Sequence, residues 1–469
     1  MSDQKAVRKI YPKKGNDLIN HREDPMTKKE SDTASRGQLT GLPYYCGGGR
    51  CAPVCYPCGL RLEQMNDNCA EEAQMMLIEE ASREDFEYYR AALNAEGYTE
   101  IWKNETEDNR YAVLSGTQRQ VYLSYTASEK RLSVIAEDIS ESVKDLSEPE
   151  PKLPDGEAQF FLYGLNMDPG GYNPAKDPEL NTSGYPNCGM LLAIRCPDMG
   201  VIVVDGGYSD QFRCGGISQL DAFLHRITGR EKDEPVDIRA WLLTHFHPDH
   251  MEGFYELLHA YPERYRLQRV ICNLPSFSLF PNVNIKEELK KLSALIGTQY
   301  PGCRELKVHT GERLAVGGIT LEVLYTHEDN ADPSDIRKSR IRDLNDTGIV
   351  VRASCRDASL MILGDINRIS EQVIVSSFSE AVLHSDIVQA SHHNFNRLSD
   401  IYRLTGAPIA WFTQTERGIV KNEMTRTNSD EVKKYSREYR FSGDITRTSG
   451  FAKREGEMKE IYRYRAYLL

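Results

Sequence analysis

Three histidines and one aspartate lie within six positions of this chain, in the pattern H-x-H-x-D-H. They are His245, His247, Asp249 and His250. The composition produces such a cluster by accident in roughly one chain in a few thousand, although a polar loop with chance histidines is the alternative. His245 and His247 are two apart, so in extended chain their imidazoles leave the same side of the backbone and can hold one Zn²⁺. Asp249 and His250 follow a turn and face a second direction, which suits a second metal ion.

The flanking residues place this cluster between a strand and a helix. The run 238–244 is short and mostly apolar, which is typical of a buried strand. After the cluster, Phe254, Leu257 and Leu258 fall on one face of a predicted helix over 251–260. The cluster is therefore predicted between the C-terminal end of a strand and the N-terminus of a helix, where α/β folds carry their chemistry.

The pattern at 245–250 resembles the signature of the metallo-β-lactamase superfamily, and the resemblance extends from about Gln159 to Trp411. The apolar run that begins at Val201 and ends in Asp205 is similar to the first motif of that family. In the family this aspartate is not a ligand, so the resemblance implies that Asp205 supports the histidine loop through hydrogen bonds. An ordinary turn at a strand end is the alternative for this residue.

Two further strand ends extend the resemblance. Asp365, after the apolar run 359–363, is similar to the carboxylate that bridges both metals in the family, where a shared oxygen ligand offsets their repulsion. One histidine of the pair that follows strand 386–390 is implied as the last ligand of the second metal. We favour His392, at the immediate end of the strand. His393 is then expected to donate a hydrogen bond to the reacting group or to orient a ligand.

Many family members carry one more histidine, between the first cluster and the bridging aspartate, which completes the shell of the first metal. His327 ends a strand-like run and is the candidate for this role, with an ordinary loop histidine as the alternative. Asp346 competes for the same position.

The segment 345–351 is most similar to the branch of the family found in DNA-uptake competence proteins. Two departures separate this chain from that branch: Gly348 stands where the branch has a serine, and Asn394 and Phe395 replace a Gly-Ser pair. The resemblance suggests the branch without implying its nucleic-acid substrate.

Together these motifs predict a metal-dependent hydrolase with two divalent ions. Zinc is the first choice because of the imidazole-rich ligand set, and manganese or iron is compatible with it. Such ions activate a shared water as hydroxide, and Asp249 or the hydroxide's own proton would reach the leaving group. A phosphodiester or nucleotide-like substrate is favoured. Hydrolysis of an acyl group (lactone, thioester or β-lactam) is the alternative, and a non-hydrolytic metal-bearing sensor or binding module is the second alternative.

The chain divides into four predicted regions: 1–75, 76–138, 139–157 and 158–469. The first is a polar, flexible extension with four cysteines that could instead form a metal knuckle, namely Cys46, Cys51, Cys55 and Cys58. The second is a small α+β unit that is either a plain structural appendage, the favoured alternative, or serves in docking, dimerisation or shaping the substrate entrance. An acidic, proline-rich linker follows. The last region is the catalytic domain, an α/β fold for which the resemblance implies a four-layer αββα sandwich.

Hydrophobic patterning predicts the elements of both units. In the small unit, Ser82 caps a helix that ends near Gly97, and strands follow at 111–114, 120–125 and 131–136. Strands of the catalytic domain are predicted at 191–195, 201–204, 238–243, 268–272, 319–325, 349–353, 359–363, 386–390 and 408–413. Helices are predicted at 216–227, 251–260, 285–296 and, in the tail, 429–439.

Composition limits the class of protein and its partners. The 469 residues are 40% hydrophobic and 27% charged, as in ordinary soluble proteins. There is no apolar run of membrane-spanning length and no signal-peptide core, so a cytoplasmic, bacterial protein is expected. The net charge of −12 disfavours charge-driven binding to long nucleic acids but tolerates a small-molecule or short phosphodiester substrate. A homodimer is a further expectation.

Overall fold

The computed structural model describes most of the chain from residue 73 onwards. The described residues are 42, 50–52, 73–139, 145–146, 156–165, 188–212, 215–275, 286–331, 341, 343–356, 358–443 and 448–464. Among them, no helix combines the length and the apolar character that a membrane span requires.

A six-stranded antiparallel sheet and one helix form the small unit. Its strands are β1 (Arg50–Ala52), β2 (Gln74–Glu79), β3 (Thr99–Thr106), β4 (Asn109–Ser115), β5 (Arg119–Thr126) and β6 (Arg131–Asp138), in spatial order β1-β2-β6-β5-β4-β3. Helix α1 (Arg83–Ala95) packs Phe86 and Leu93 against one face of the sheet. As predicted, Ser82 caps this helix, in a reciprocal pair of hydrogen bonds with Asp85.

Strand β1 lies inside the segment that we expected to be flexible. It pairs with β2, and Leu42 is buried in the same core as α1, so the expectation of a flexible extension is wrong at these residues. The physical reason is that β1 covers the hydrogen-bonding edge of β2, which begins at Gln74. The predictions for Cys46, Cys55, Cys58 and the side chain of Cys51 lie outside the described residues.

Two further sheets form the main domain. Their strands are β7 (Gln159–Leu162), β8 (Leu191–Arg195), β9 (Val201–Asp205), β10 (Val236–Leu242), β11 (Tyr265–Leu267), β12 (Arg269–Cys272), β13 (Arg304–Lys307), β14 (Arg313–Val316), β15 (Ile319–Tyr325), β16 (Val350–Cys355), β17 (Ala358–Ile362), β18 (Ile387–Gln389), β19 (Ile409–Phe412), β20 (Glu438–Phe441), β21 (Thr448–Arg454) and β22 (Glu457–Tyr464). Each strand predicted for this domain is present.

The two sheets pack face to face. The first has the order β13-β12-β10-β9-β8-β7-β21-β22, with β11 beside β10, and the second runs from β14 to β20 in sequence order. Side chains alternate along β9, so Val201 and Val203 face one core while Ile202 and Val204 face another. The second core also contains residues of the other sheet, such as Ile362, and it is therefore the layer between the sheets.

Helices cover both outer faces. The first sheet is covered by α2 (Gly216–Thr228), α3 (Pro248–Ala260) and α4 (Lys286–Gln299). The second is covered by α5 (Arg368–Ser377), α6 (Glu380–Leu383), α7 (Ser399–Thr405), α8 (Glu416–Lys421) and α9 (Glu423–Lys433). These layers confirm the predicted αββα sandwich.

The prediction for the C-terminal tail is wrong in part. The helix expected over 429–439 is α9, which starts earlier because Asn422 accepts hydrogen bonds from the first turn, and it ends at Lys433. The last residues of the predicted helix instead begin strand β20, which pairs with β19 at the edge of the second sheet. Strand β21 pairs with β7, almost 300 residues away in the sequence, and this pairing adds β21 and β22 to the first sheet.

The predicted linker is fixed to the main domain at its middle. The carboxylate of Asp145 lies 2.7 Å from the guanidinium of Arg269 and 2.9 Å from that of Arg304. Leu146 packs against the core between the two sheets. The connection is therefore anchored beside β12 and β13.

The small unit docks on the main domain through a buried charged cluster, which we call the docking cluster: Glu137, Lys307, His309 and Glu328. Glu137 of β6 accepts a hydrogen bond from Lys307 Nζ at 2.8 Å. Beside the cluster, Gly311 has φ +93, and a Cβ there would lie 2.3 Å from the ring of Tyr111. This glycine allows the two units to approach closely.

Candidate metal centre

The carboxyl ends of several strands meet at one edge of the sandwich. Strand β9 ends in Asp205, the chain leaves β10 through Thr244 into His245, and β17 leads to Asp365. Gly364, with φ +54, lets the Asp365 turn approach Thr244, because a Cβ there would lie 3.0 Å from the threonine side chain. Strands of both sheets therefore deliver their polar ends to one place.

Four side chains form a compact group at this edge. Ligand-type atoms of Asp249, His250, Asp365 and His393 all lie within 4.8 Å of one another. His250 Nε2 lies 3.2 Å from His393 Nε2 and 3.2 Å from Asp365 Oδ2. His393 Nε2 lies 3.0 Å from Asp249 Oδ2. Two imidazoles and two carboxylates at these separations are a suitable donor set for a divalent cation.

Hydrogen bonds behind this group fix the orientation of its histidines. His250 Nδ1–H donates to Asp205 Oδ2 at 2.6 Å, and His393 Nδ1–H donates to the carbonyl of Thr413 at 3.1 Å. Asp205 is itself held by the backbone N–H and the hydroxyl of Thr244, at 2.8 and 2.7 Å. Both Nε2 atoms therefore face the site, as in metal sites whose ligands have outer hydrogen-bond partners. This geometry agrees with the supporting role predicted for Asp205.

His245 and His247 lie directly beside the group of four. His245 Nε2 is 3.0 Å from His247 Nδ1 and 4.0 Å from Asp365 Oδ2. The ring nitrogen on the other side, His245 Nδ1, is 3.2 Å from Thr244 Oγ1. His247 is also the residue that precedes the first turn of α3. Asp365 thus lies between the two pairs of the H-x-H-x-D-H pattern, where a bridging carboxylate is expected.

The electrostatics of the site favour a cation. Burial by itself lowers the pKa of His250, but the negative charges of Asp365, Asp205 and Asp249 raise it to about 10. Burial also raises the pKa of Asp365, yet the charges of His250 and His393 hold it well below its usual value. With both Nδ1–H groups engaged elsewhere, the two Nε2 atoms face each other over 3.2 Å, where two N–H groups or two lone pairs repel each other. A bound cation between them relieves this repulsion, so the residues fit a metal ion.

The two adjacent histidines take different positions at the site. We favoured His392 as the last ligand of the second metal, but His393 is the one that lies within the group of four. Both residues have left-handed backbones, with φ 50 for His392 and 49 for His393. His392 Nε2 lies 3.8 Å from Asp365 Oδ2, on the side that is partly open to solvent.

The two candidates for the third histidine position do not join the site. Burial lowers the pKa of His327 to about 4; the charge of Glu328 opposes this shift, and the charges of Lys307 and His309 add to it. His327 therefore lies beside the docking cluster. Asp346 Oδ2 accepts a hydrogen bond from the backbone N–H of Asp343, within its own turn. The sequence correctly predicted a strand that ends just before His327. It could not show which part of the fold the His327 side chain would meet.

Sequence reasoning did not find four other residues of the site. Thr244 and Thr413 orient site groups, and their position after buried strands is a signal that could have identified them. Cys188 and Tyr208 lie close enough to Asp249 and His393 for the charges of these residues to act on both. Burial raises the pKa of Cys188 to about 11, and the charges of His393 and Asp249 also act on it. No sequence pattern marks Cys188 or Tyr208 as part of the site.

This chain is similar to one family model and, at low sequence identity, to several solved structures. A family model described as the metallo-beta-lactamase superfamily matches residues 184–400. Unliganded yeast PDE1 is 12% identical, with 62% of this chain and 99% of that chain covered and a TM-score of 0.36. CmlA, a diiron β-hydroxylase from Streptomyces venezuelae, is 14% identical, with 65% of this chain and 55% of that chain covered and a TM-score of 0.35, so this chain spans about half of CmlA. Zn(2+)-bound PqqB from Methylobacterium extorquens is 11% identical, with 49% and 71% covered and a TM-score of 0.30. The comparison with curated proteins gives no match.

Proposed function

Because residues 184–400 belong to the metallo-β-lactamase superfamily, we propose that this protein is a metal-dependent hydrolase with a dinuclear centre. The observation that carries the proposal is the convergence of His250 and His393 Nε2 atoms, 3.2 Å apart, beside the carboxylates of Asp249 and Asp365. When bound, two divalent ions would polarise an electrophilic substrate oxygen and lower the pKa of water. Zinc suits the imidazole-rich set, and manganese or iron is compatible with it.

The protein's own residues supply orientation and exclusion of water. Asp205 holds His250 in the tautomer that leaves Nε2 as an acceptor, and Thr413 does the same for His393. His245, His250 and His393 are buried, so the site is open mainly on the side of His247 and His392. Substrate would approach from that side. Polar groups fixed before binding cost no reorganisation when charge develops during the reaction.

We favour a phosphodiester or a small nucleotide as substrate. The support is the segment 345–351, which is similar to that of the competence branch. Asn345 of this segment lies at the metal centre, with its Nδ2 atom 3.4 Å from His392 Nε2. Two metals can hold two non-bridging oxygens of a phosphodiester, whereas an acyl substrate presents one carbonyl oxygen. The net charge of −12 favours a short substrate over a long polyanion.

A substrate panel tests this proposal. Protein reconstituted with zinc or with manganese is assayed with bis(p-nitrophenyl) phosphate, small nucleotides, p-nitrophenyl acetate, a lactone and a cephalosporin. We expect metal-dependent turnover of the phosphodiester in preference to the acyl compounds. His259→Ala, which removes an exposed histidine of α3, is the matched control and should keep full activity.

Each other outcome points elsewhere. Faster turnover of the lactone or the acetate, with the phosphodiesters untouched, would assign the chain to acyl hydrolysis. Bound metal without turnover of any ester would contradict a hydrolase and favour a sensor or binding module.

A further inference from the structure

The first metal position lacks the histidine that the family usually supplies between the first cluster and the bridging aspartate. His327 lies among the charges of the docking cluster, and Asp346 caps its own turn. His245, His247 and Asp365 therefore leave room for a further ligand from another part of the chain. These residues belong to the dinuclear centre of the proposed function, so the assignment of a further ligand rests on that proposal.

His392 is placed to fill this position. Its backbone N–H donates to the carbonyl of Gly364 at 3.0 Å, which fixes the residue beside Asp365. Its Nε2 atom lies 3.8 Å from Asp365 Oδ2, comparable with the 4.0 Å between His245 Nε2 and the same oxygen. Ligands of one zinc at 2.0–2.1 Å lie about 3.4 Å apart, so each of these two distances to Asp365 Oδ2 is longer than that by about half an ångström.

The local backbone directs the two adjacent histidines to different places. Their ring centroids are 6.2 Å apart, and the ring planes differ by 59°. His393 belongs to the group of four, whereas His392 lies outside it with its Nε2 atom beside Asn345 Nδ2. Two consecutive left-handed histidines cost about 1–2 kcal/mol each, and such strain is concentrated at functional sites.

Buried polar atoms without a hydrogen-bond partner surround this position. Among the described residues, they include Asp365 Oδ1 and Asn345 Oδ1. Asn345 is about nine-tenths buried and contacts His392 through its amide, so its oxygen lies close to the same place. Buried acceptors of this kind are costly unless a donor or a cation satisfies them.

We propose that His392 is the remaining protein ligand of the first metal, together with His245, His247 and Asp365, with Asn345 bordering the same position. The second metal keeps Asp249, His250, His393 and the shared Asp365. The histidine usually contributed by the third motif would thus come, in this chain, from the turn after β18. Among the described residues, only the ligand atoms of the second group all lie within 4.8 Å of one another, so the first group is more open.

Metal content, measured independently of activity, tests the assignment. After reconstitution with manganese and dialysis, the wild-type chain should hold two ions and give the spectrum of an exchange-coupled pair by electron paramagnetic resonance. His392→Ala should hold one ion and give an uncoupled signal. His392→Gln serves as the conservative variant, and His259→Ala as the control that keeps two ions. Circular dichroism and thermal melting establish that each variant is folded.

Double variants distinguish the two positions. If His392 and His245 serve the same ion, the double variant His245→Ala/His392→Ala still holds one ion, whereas His392→Ala/His393→Ala holds none. Two ions in His392→Ala, loss of both in His245→Ala/His392→Ala, or fewer than two ions in the reconstituted wild type would each overturn the inference. Two ions in the wild type with no hydrolysis of any ester would contradict the proposed function while leaving the ligand assignment intact.

Discussion

The metal centre and the docking cluster are both buried groups of histidines and carboxylates, yet they differ in how their charges are satisfied. In the docking cluster each imidazole nitrogen of His309 faces a carboxylate oxygen, Glu328 at 2.8 Å and Glu137 at 3.4 Å, and Lys307 supplies a second cation. In the metal centre imidazole nitrogens face one another, at 3.2 Å for His250 and His393. The first arrangement pairs opposite charges within the protein, whereas the second directs two imidazole nitrogens at each other, as in a site that could hold a cation.

The pKa shifts show why composition alone does not separate the two clusters. Burial lowers the pKa of His309, but Glu328 and Glu137 raise it to about 10, the same value as for His250. The ring of Tyr122 stacks on His309 at 4.6 Å and closes one side of it. Only the pairing of individual atoms shows which cluster binds a ligand and which one joins two units of the fold.

The largest effect is expected for Asp365→Ala. It removes the carboxylate that the proposed dinuclear centre shares between its two positions, so both proposed ions should bind weakly. We expect turnover to fall well beyond the 10–100-fold that is typical when only an outer partner of a metal ligand is removed. The measurement is kcat/KM together with metal content. An Asp365→Ala protein that retains both ions and its turnover would contradict the assignment of a bridging carboxylate.

Glu137→Ala should affect stability rather than metal binding. It leaves Lys307 and His309 buried beside Glu328 alone, and breaking such a buried ion pair costs about 3–5 kcal/mol. Urea denaturation should show this loss while the metal content stays unchanged. The control Glu438→Ala removes an exposed carboxylate of β20 and should change stability by no more than about 0.5 kcal/mol. Loss of metal from folded Glu137→Ala would show that the two clusters are coupled.

Asp205→Asn should weaken metal binding while every proposed ligand is kept. The amide has a single acceptor oxygen for the three donors of Thr244 and His250, and it no longer favours the His250 tautomer that presents Nε2. Loss of such an outer partner costs about 10–100-fold in metal affinity, which competition with a chelator measures. Asp221→Asn, which removes the charge that holds Arg264 in a structural cluster, should lower stability and leave metal affinity unchanged.

The smallest effect concerns Glu312, which accepts a hydrogen bond from the backbone of His309 at 3.0 Å. Burial raises the pKa of Glu312 to about 7, against an ordinary value of 4.5, although the charge of His309 opposes this shift. The folded chain therefore holds a proton that the unfolded chain releases, and stability falls as the pH rises from about 4.5 to 7. Glu312→Gln should remove this part of the pH dependence, measured by denaturation at pH 5 and at pH 8. An unchanged slope in the variant would exclude the role of Glu312.

The sequence predicted the scaffold and most of the site because both depend on local patterns. Apolar runs with period two located the strands of both sheets, and the spacing of His245 to His250 located the centre at a strand end. Polar residues at strand ends also indicated Asp205 and Asp365. These signals are short-range, since alternation and turn residues are set by neighbours along the chain.

What the sequence could not determine depends on distant contacts. Strand β21 pairs with β7, and Glu137 is buried against Lys307, although the partners are far apart in the chain. The position of His327 outside the centre also depends on such distant contacts. His392 and His393 both have left-handed backbone angles, and the His392 N–H donates to the carbonyl of Gly364 at another strand end, a contact that local patterns do not predict. By itself the sequence determined which residues could do chemistry and on which elements they lie. The tertiary structure decided which of them meet, because ligand geometry depends on differences of about 1 Å that local patterns do not encode.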